Sequence, residues 1–217
     1  MKEQIIKENY ERISSEIDSG VALLCATKTQ AVEDINYLIS LGCKFIGENR
    51  VNELLEKYEH YDKRAELHFI GTLQTNKVKY IIDKVSLIHS VDSVSLLEEI
   101  NKRASKIGKV MDILLEVNSG REENKGGIFP ENVCDFYEKA KAYPSVRVRG
   151  LMTMAPRCET REEYLKYFTL TKEIFDKLFK DDKNAILSMG MSESYKYAIE
   201  AGATLVRVGS GIFGKRN

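Results

Sequence analysis

Residues 21–49 read Val-Ala-Leu-Leu-Cys-Ala-Thr-Lys-Thr-Gln-Ala-Val-Glu-Asp-Ile-Asn-Tyr-Leu-Ile-Ser-Leu-Gly-Cys-Lys-Phe-Ile-Gly-Glu-Asn. An apolar run of strand length (21–28) opens the stretch. Val32, Ile35, Leu38 and Ile39 follow at helical spacing, closed by Gly42, and a second short apolar run occupies 44–48. A strand, a helix and a strand in this order pair the two strands in parallel through a right-handed crossover. The pattern then repeats. Runs at 67–71, 87–91, 112–118, 146–154, 185–192 and 205–209 read as further strands. Between them lie helical stripes such as Val94, Leu96, Leu97 and Ile100, or Tyr164, Phe168, Ile174, Phe175 and Leu178 within 163–179. Eight strands in about 190 residues predict one α/β domain over 1–217, a (β/α)8 barrel.

The two ends refine that expectation. Only Lys215, Arg216 and Asn217 follow Gly214, which leaves little chain for a helix after strand eight. Ile5, Ile6, Ile13 and Ile17 among charges predict an amphipathic helix with no strand before it, expected to cover the barrel wall at that gap.

Composition narrows the function classes. Lys+Arg and Asp+Glu are both 33, a formal charge of zero, so no broad cationic face is expected for nucleic acid or an acidic membrane. An apolar share of 43% with 30% charged residues is the balance of a folded chain, not of a disordered one. The longest apolar runs are strand-sized, short of the ~20 residues a membrane span needs. The charged start, Met-Lys-Glu-Gln, carries no signal-peptide pattern. Cys25, Cys43, Cys134 and Cys158 are widely spaced and form no CxxC pair, so reduced thiols in a cytoplasmic protein are expected rather than a zinc site.

Barrels of this kind gather reactive groups at the carboxyl ends of their strands. Alternation along the first strand places Ala22, Leu24, Ala26 and Lys28 on one face. On position alone Lys28 is either a lysine that leaves the strand for solvent or a desolvated amine suited to Schiff-base chemistry. The segment Leu205-Val-Arg-Val-Gly-Ser-Gly-Ile-Phe-Gly214 runs a strand into a glycine-rich turn, where the amides of Gly209, Ser210 and Gly211 can meet an anion. Ser192 is expected to close strand seven and open the next helix beside that turn. Arg207 alternates inward, toward a ligand or toward an acid such as Glu116. His68, His89, Lys77 and Lys79 read as structural or solvated groups, with a weaker second anion site at the two lysines left open.

Several motifs, in order and at matching spacing from about residue 10 onward, resemble one family. They are Ala26-Thr-Lys28-Thr, Phe45-Ile-Gly-Glu-Asn49, His68-Phe-Ile-Gly-Thr-Leu-Gln-Thr-Asn-Lys77 and Ile88-His-Ser-Val-Asp92. Gly150-Leu-Met-Thr-Met154, Leu187-Ser-Met-Gly-Met-Ser192 and Arg207-Val-Gly-Ser-Gly-Ile-Phe-Gly214 complete the set. Together they resemble the pyridoxal phosphate homeostasis proteins. The resemblance implies a barrel like the N-terminal domain of alanine racemase, with pyridoxal 5′-phosphate held as a Schiff base on Lys28. It implies phosphate binding by Ser192 and the backbone of Gly209 and Ser210, Arg207 at the pyridine nitrogen, and Asn49 lining the same pocket.

The implied role is holding and delivering the vitamin B6 cofactor, with apo-enzymes that use it as partners and a monomer or weak homodimer as the assembly. A single-domain racemase or lyase, and a lysine aldolase acting on a sugar phosphate, stand as alternatives. Met154 stands where racemases of this fold carry a histidine, and a thioether relays no protons. In the loop after strand five, Asn124 replaces the family's usual serine before Lys125.

Overall fold

Parallel strands covered on both faces are apolar throughout, and closing their sheet removes every free edge. The computed structural model, which describes residues 2–214, closes that sheet. Its strands follow sequence order: β1 (Ala22–Ala26), β2 (Phe45–Glu48), β3 (Glu66–Phe69), β4 (Leu87–Val91), β5 (Met111–Val117), β6 (Val146–Thr153), β7 (Ile186–Ser188) and β8 (Leu205–Val208). β8 pairs back to β1, with Leu24 opposite Arg207. The helices on the outside are α1 (Lys2–Ser15), α2 (Val32–Ser40), α3 (Val51–Tyr58), α4 (Val78–Ile81), α5 (Val94–Lys106), α6 (Val133–Ala140), α7 (Arg161–Phe179), α8 (Tyr195–Glu200) and α9 (Ser210–Phe213).

Local chemistry sets the helix limits. Thr160 caps α7, its hydroxyl accepting from the Glu163 amide while the Glu163 carboxylate accepts from the Thr160 amide. Helix α2 buries Ile35, Leu38 and Ile39 and stops where Gly42 turns left-handed at φ 99°. Inside the barrel, Leu24, Ala26, Ile70 and Leu205 form one apolar layer, and Leu87, Leu114 and Met152 another. The larger core lies between barrel and helices.

Three sequence expectations need correction. Strand β1 ends at Ala26, so Lys28 stands in the turn above it and not in the strand. Strand β7 ends at Ser188 and the chain turns left-handed at Gly190 (φ 84°), which places Ser192 in the turn that precedes α8. A helical turn does follow β8, namely α9, although Lys215, Arg216 and Asn217 lie outside the described residues. The N-terminal helix covers this region as expected. Asn9 Nδ2 donates to the Ile212 carbonyl at 3.1 Å, and Ile6 and Ile13 are fully buried.

Candidate functional site

The turn that carries Lys28 is held on both sides. Thr27 is buried, and its hydroxyl donates to Glu48 Oε1 at 2.8 Å. Thr27's carbonyl accepts from Lys57 Nζ at 3.1 Å. Thr29 has φ 64°, a left-handed conformation that a β-branched residue rarely adopts, and its amide donates to Glu53 Oε1. Lys28, half-buried, sits between these two anchored residues.

Arg207 points inward from β8, as alternation predicts, and is 5% exposed. The partner differs from the acid that sequence reasoning offered. Nη1 donates to the Ser188 carbonyl at 2.9 Å and to Ser188 Oγ at 2.5 Å, and Nη2 donates to the Thr153 carbonyl at 3.0 Å. Neutral dipoles therefore hold the cation, while Glu116 acts on it through space. Burial lowers the Arg207 pKa to about 10, and the Glu116 charge works against that shift. Burial pushes Glu116 up to about 7, helped by Asp92 and opposed by Arg207.

Behind Arg207 runs a chain of side chains that the sequence reading did not connect. His89 Nδ1 lies 3.2 Å from Ser188 Oγ, and His89 Nε2 lies 3.0 Å from His68 Nδ1. His68 Nε2 reaches to 4.0 Å from Glu66 Oε2 at the far end of the barrel. Since Arg207 donates to Ser188 Oγ, the serine proton is left to donate to His89 Nδ1. His89, accepting at Nδ1, is then the neutral ring that presents Nε2 to His68 Nδ1. Burial holds His89 well below the ordinary histidine pKa, with the positive charge of Arg207 adding to it. Inward alternation on neighbouring strands β3 and β4 is the signal that could have found this pair.

The turn after β8 forms a bare-backbone cradle. Ser192 Oγ accepts from the amides of Gly209 at 3.3 Å and Gly211 at 3.1 Å, which leaves its O–H to donate. A Cβ at Gly211 would lie 2.9 Å from Val208 Cγ1, and one at Gly209 would lie 3.2 Å from the Ala26 carbonyl oxygen. Ser210, exposed, opens α9 at the same turn. Such a cluster of amides and hydroxyls suits an anion of phosphate size.

Asn49 follows β2, and its Oδ1 is buried with no hydrogen-bond partner among the described residues. An orphaned buried acceptor of this kind is open to a hydrogen bond from a bound ligand. Asn49 also lines a cavity of about 880 Å³ with Thr29, Arg50, Glu53, Lys57 and Lys77. Lys79, by contrast, is exposed and lies 4.8 Å from the Tyr80 ring centroid. The structure thus gathers Lys28, Asn49, Arg207, Ser192, Gly209 and Ser210 around the carboxyl ends of β1, β2, β7 and β8.

Comparison with known proteins agrees with this fold. The profile described as "Alanine racemase, N-terminal domain" matches residues 2–217. A protein of Aquifex aeolicus named pyridoxal phosphate homeostasis protein is 49% identical over 197 residues, covering 89% of this chain and 86% of that one. The structure of PipY from Synechococcus elongatus with pyridoxal phosphate bound superposes with a TM-score of 0.88 at 28% identity, covering 96% of this chain and 100% of that chain. An alanine racemase of Clostridium difficile shares the fold, with a TM-score of 0.84 at 18% identity over 98% of this chain and 57% of its own.

Proposed function

The chain belongs to the alanine racemase N-terminal domain family, among its pyridoxal phosphate homeostasis members, and from that premise we propose that it binds pyridoxal 5′-phosphate through a Schiff base on Lys28 and holds it for delivery inside the cell. The observation that carries this reading is the meeting of β1 and β8. Gly209, whose amide joins the Ser192 hydroxyl, packs against Ala26, two residues before Lys28. An amine and an anion cradle thereby share one rim of a single cofactor-binding domain.

When bound, the cofactor supplies an aldehyde carbon that primary amines attack. Lys28 contributes the amine. Ser192, anchored by the Gly209 and Gly211 amides, would take the phosphate together with Ser210 and the Gly209 turn, and Asn49 would offer its orphaned Oδ1 to the ring side of the pocket. Arg207 presents a cation locked in place by Ser188 and Thr153. A fixed positive charge beside a pyridine nitrogen disfavours protonating it, because like charges repel. The ring is then a weak electron sink, which suits storage and exchange better than turnover of amino acids.

Met154, 44% exposed at the end of β6, adds no proton relay. We take cytoplasmic apo-enzymes that need this cofactor as the recipients and a monomer or weak homodimer as the working form. No helix among the described residues is long and apolar enough to cross a membrane.

Titration of the full chain with pyridoxal 5′-phosphate tests the reading. A visible absorbance band is expected in the wild type and lost in Lys28→Ala. A protein that stays colourless at saturating cofactor overturns the reading. Appreciable racemisation or cleavage of amino acids that vanishes in Lys28→Ala would move the assignment from carrier to enzyme.

A further inference from the structure

We propose that Glu53 and Lys57, two residues of α3 that line the cavity beside Asn49 but belong to none of the cofactor contacts assigned above, are positioning residues that set the aim of Lys28. The inference rests on the reading of Lys28 given above and extends it to a part of the protein that no other function explains.

Lys57 is 9% exposed, and its ammonium has three acceptors: the Thr27 carbonyl at 3.1 Å, Glu48 Oε1 at 3.1 Å and Glu53 Oε1 at 2.5 Å. Glu48 Oε1 also accepts from the hydroxyls of Thr27 and Tyr61, at 2.8 and 2.6 Å. Glu53 Oε1 accepts from the Thr29 amide. The peptide before Lys28 is thus tied to Lys57 and the peptide after it to Glu53, and the two ties are bonded to each other. One helix holds both flanks of one lysine.

The conformation at Thr29 shows what the ties work against. A threonine at φ 64° is in a sparsely populated conformation that persists only where its surroundings over-determine it. Released from Glu53, Thr29 gains by returning to an ordinary φ, and that rotation swings the Cα–Cβ bond of Lys28. The reaction at stake joins Lys28 Nζ to an aldehyde carbon. The new C=N bond replaces C=O, and the oxygen leaves as water with both protons of the neutral amine. Such an attack is steeply sensitive to aim, since a misplacement of about 1 Å can cost on the order of 100-fold.

Three variants of the full chain separate aim from mere stability: Glu53→Ala, Glu53→Gln and Lys57→Met. Three quantities are measured on each. The first is the rate at which pyridoxal 5′-phosphate is trapped on Lys28 by borohydride, read by peptide mass. The second is the affinity of the cofactor-free protein for pyridoxamine 5′-phosphate, which carries ring and phosphate but no aldehyde. The third is Tm.

Glu53→Ala and Lys57→Met are expected to slow trapping at least about tenfold, with pyridoxamine 5′-phosphate affinity held within about twofold. Glu53→Gln, whose amide oxygen still accepts from Thr29, is expected to recover most of the rate. Trapping by Glu53→Ala within about twofold of wild type overturns the proposal. So does a matching fall in pyridoxamine 5′-phosphate affinity, which would mean a collapsed pocket. Should Lys57→Met fail to fold, the two Glu53 variants decide alone. A wild type that traps nothing on Lys28 would refute the cofactor reading itself, an outcome distinct from either of these.

Discussion

Arg207 Nη1 lies 2.5 Å from Ser188 Oγ, and this contact sets the polarity of the whole barrel interior. The guanidinium is buried, yet its hydrogen bonds run to a hydroxyl and two backbone carbonyls, not to a carboxylate. With a pKa of about 10 it stays charged at neutral pH. Its positive field therefore reaches whatever occupies the space above it, opposed in part by the Glu116 carboxylate.

Replacing that cation by an acid reverses the field. Arg207→Glu is expected to favour the protonated pyridine of bound pyridoxal 5′-phosphate, visible as a shifted absorbance band. It is also expected to raise side reactions with added amino acids, followed as loss of the cofactor band. An unchanged spectrum and unchanged reactivity would remove Arg207 from the role assigned to it.

Buried His89 makes stability depend on acid. His89 is held well below its ordinary pKa of 6.5, so the unfolded chain binds a proton there that the folded chain does not. Stability from this group is whole above 6.5 and falls as pH drops below it. Wild-type unfolding free energy is expected to decline more steeply from pH 6.5 to 5 than that of His89→Gln, by up to about 1.4 kcal/mol per pH unit. Urea titrations across that range check it. Parallel curves would contradict it.

Glu116 works in the opposite direction. Its folded pKa of about 7 exceeds the ordinary 4.5, so folding favours the protonated acid. The stability it contributes is complete below 4.5 and lost as pH rises through 7. Glu116→Gln is expected to gain on the wild type by about 2–3 kcal/mol between pH 5 and pH 8 in the cofactor-free protein. A difference that stays constant with pH would sink this account of Glu116.

Gly71 follows β3 against the turn that bears Asn49. A Cβ there would lie 2.1 Å from the Asn49 carbonyl oxygen, and backbone cannot move aside cheaply. Gly71→Ala is expected to cost about 2 kcal/mol or more in urea unfolding and to weaken pyridoxal 5′-phosphate binding by displacing Asn49. Wild-type values for both would show that the turn is looser than this packing implies.

Much of the architecture was legible because every strand is a short apolar run bounded by turn residues. The expected strand 87–91 coincides with β4, and the others shift or shorten by a few residues at their ends. The overruns at 27–28 and 189–192 have one cause. Thr27, Met189 and Gly190 stay buried past the last strand residue, so the core-like pattern continues where the strand does not. Arg207 was legible from alternation alone, but its partners were not, because carbonyls of Ser188 and Thr153 leave no mark in sequence. The tie from Lys57 and Glu53 to the Lys28 turn was hidden for a related reason. It joins α3 to backbone atoms some 24 to 30 residues away, and a Glu and Lys four apart on a helix read as an ordinary surface pair.

The most direct measurement is peptide mass spectrometry of the protein reduced with borohydride in the presence of pyridoxal 5′-phosphate. A single phosphopyridoxyl group on the peptide containing Lys28 is the expected result. An unmodified Lys28 peptide, with the adduct absent or scattered over exposed lysines such as Lys79 and Lys125, would contradict the account.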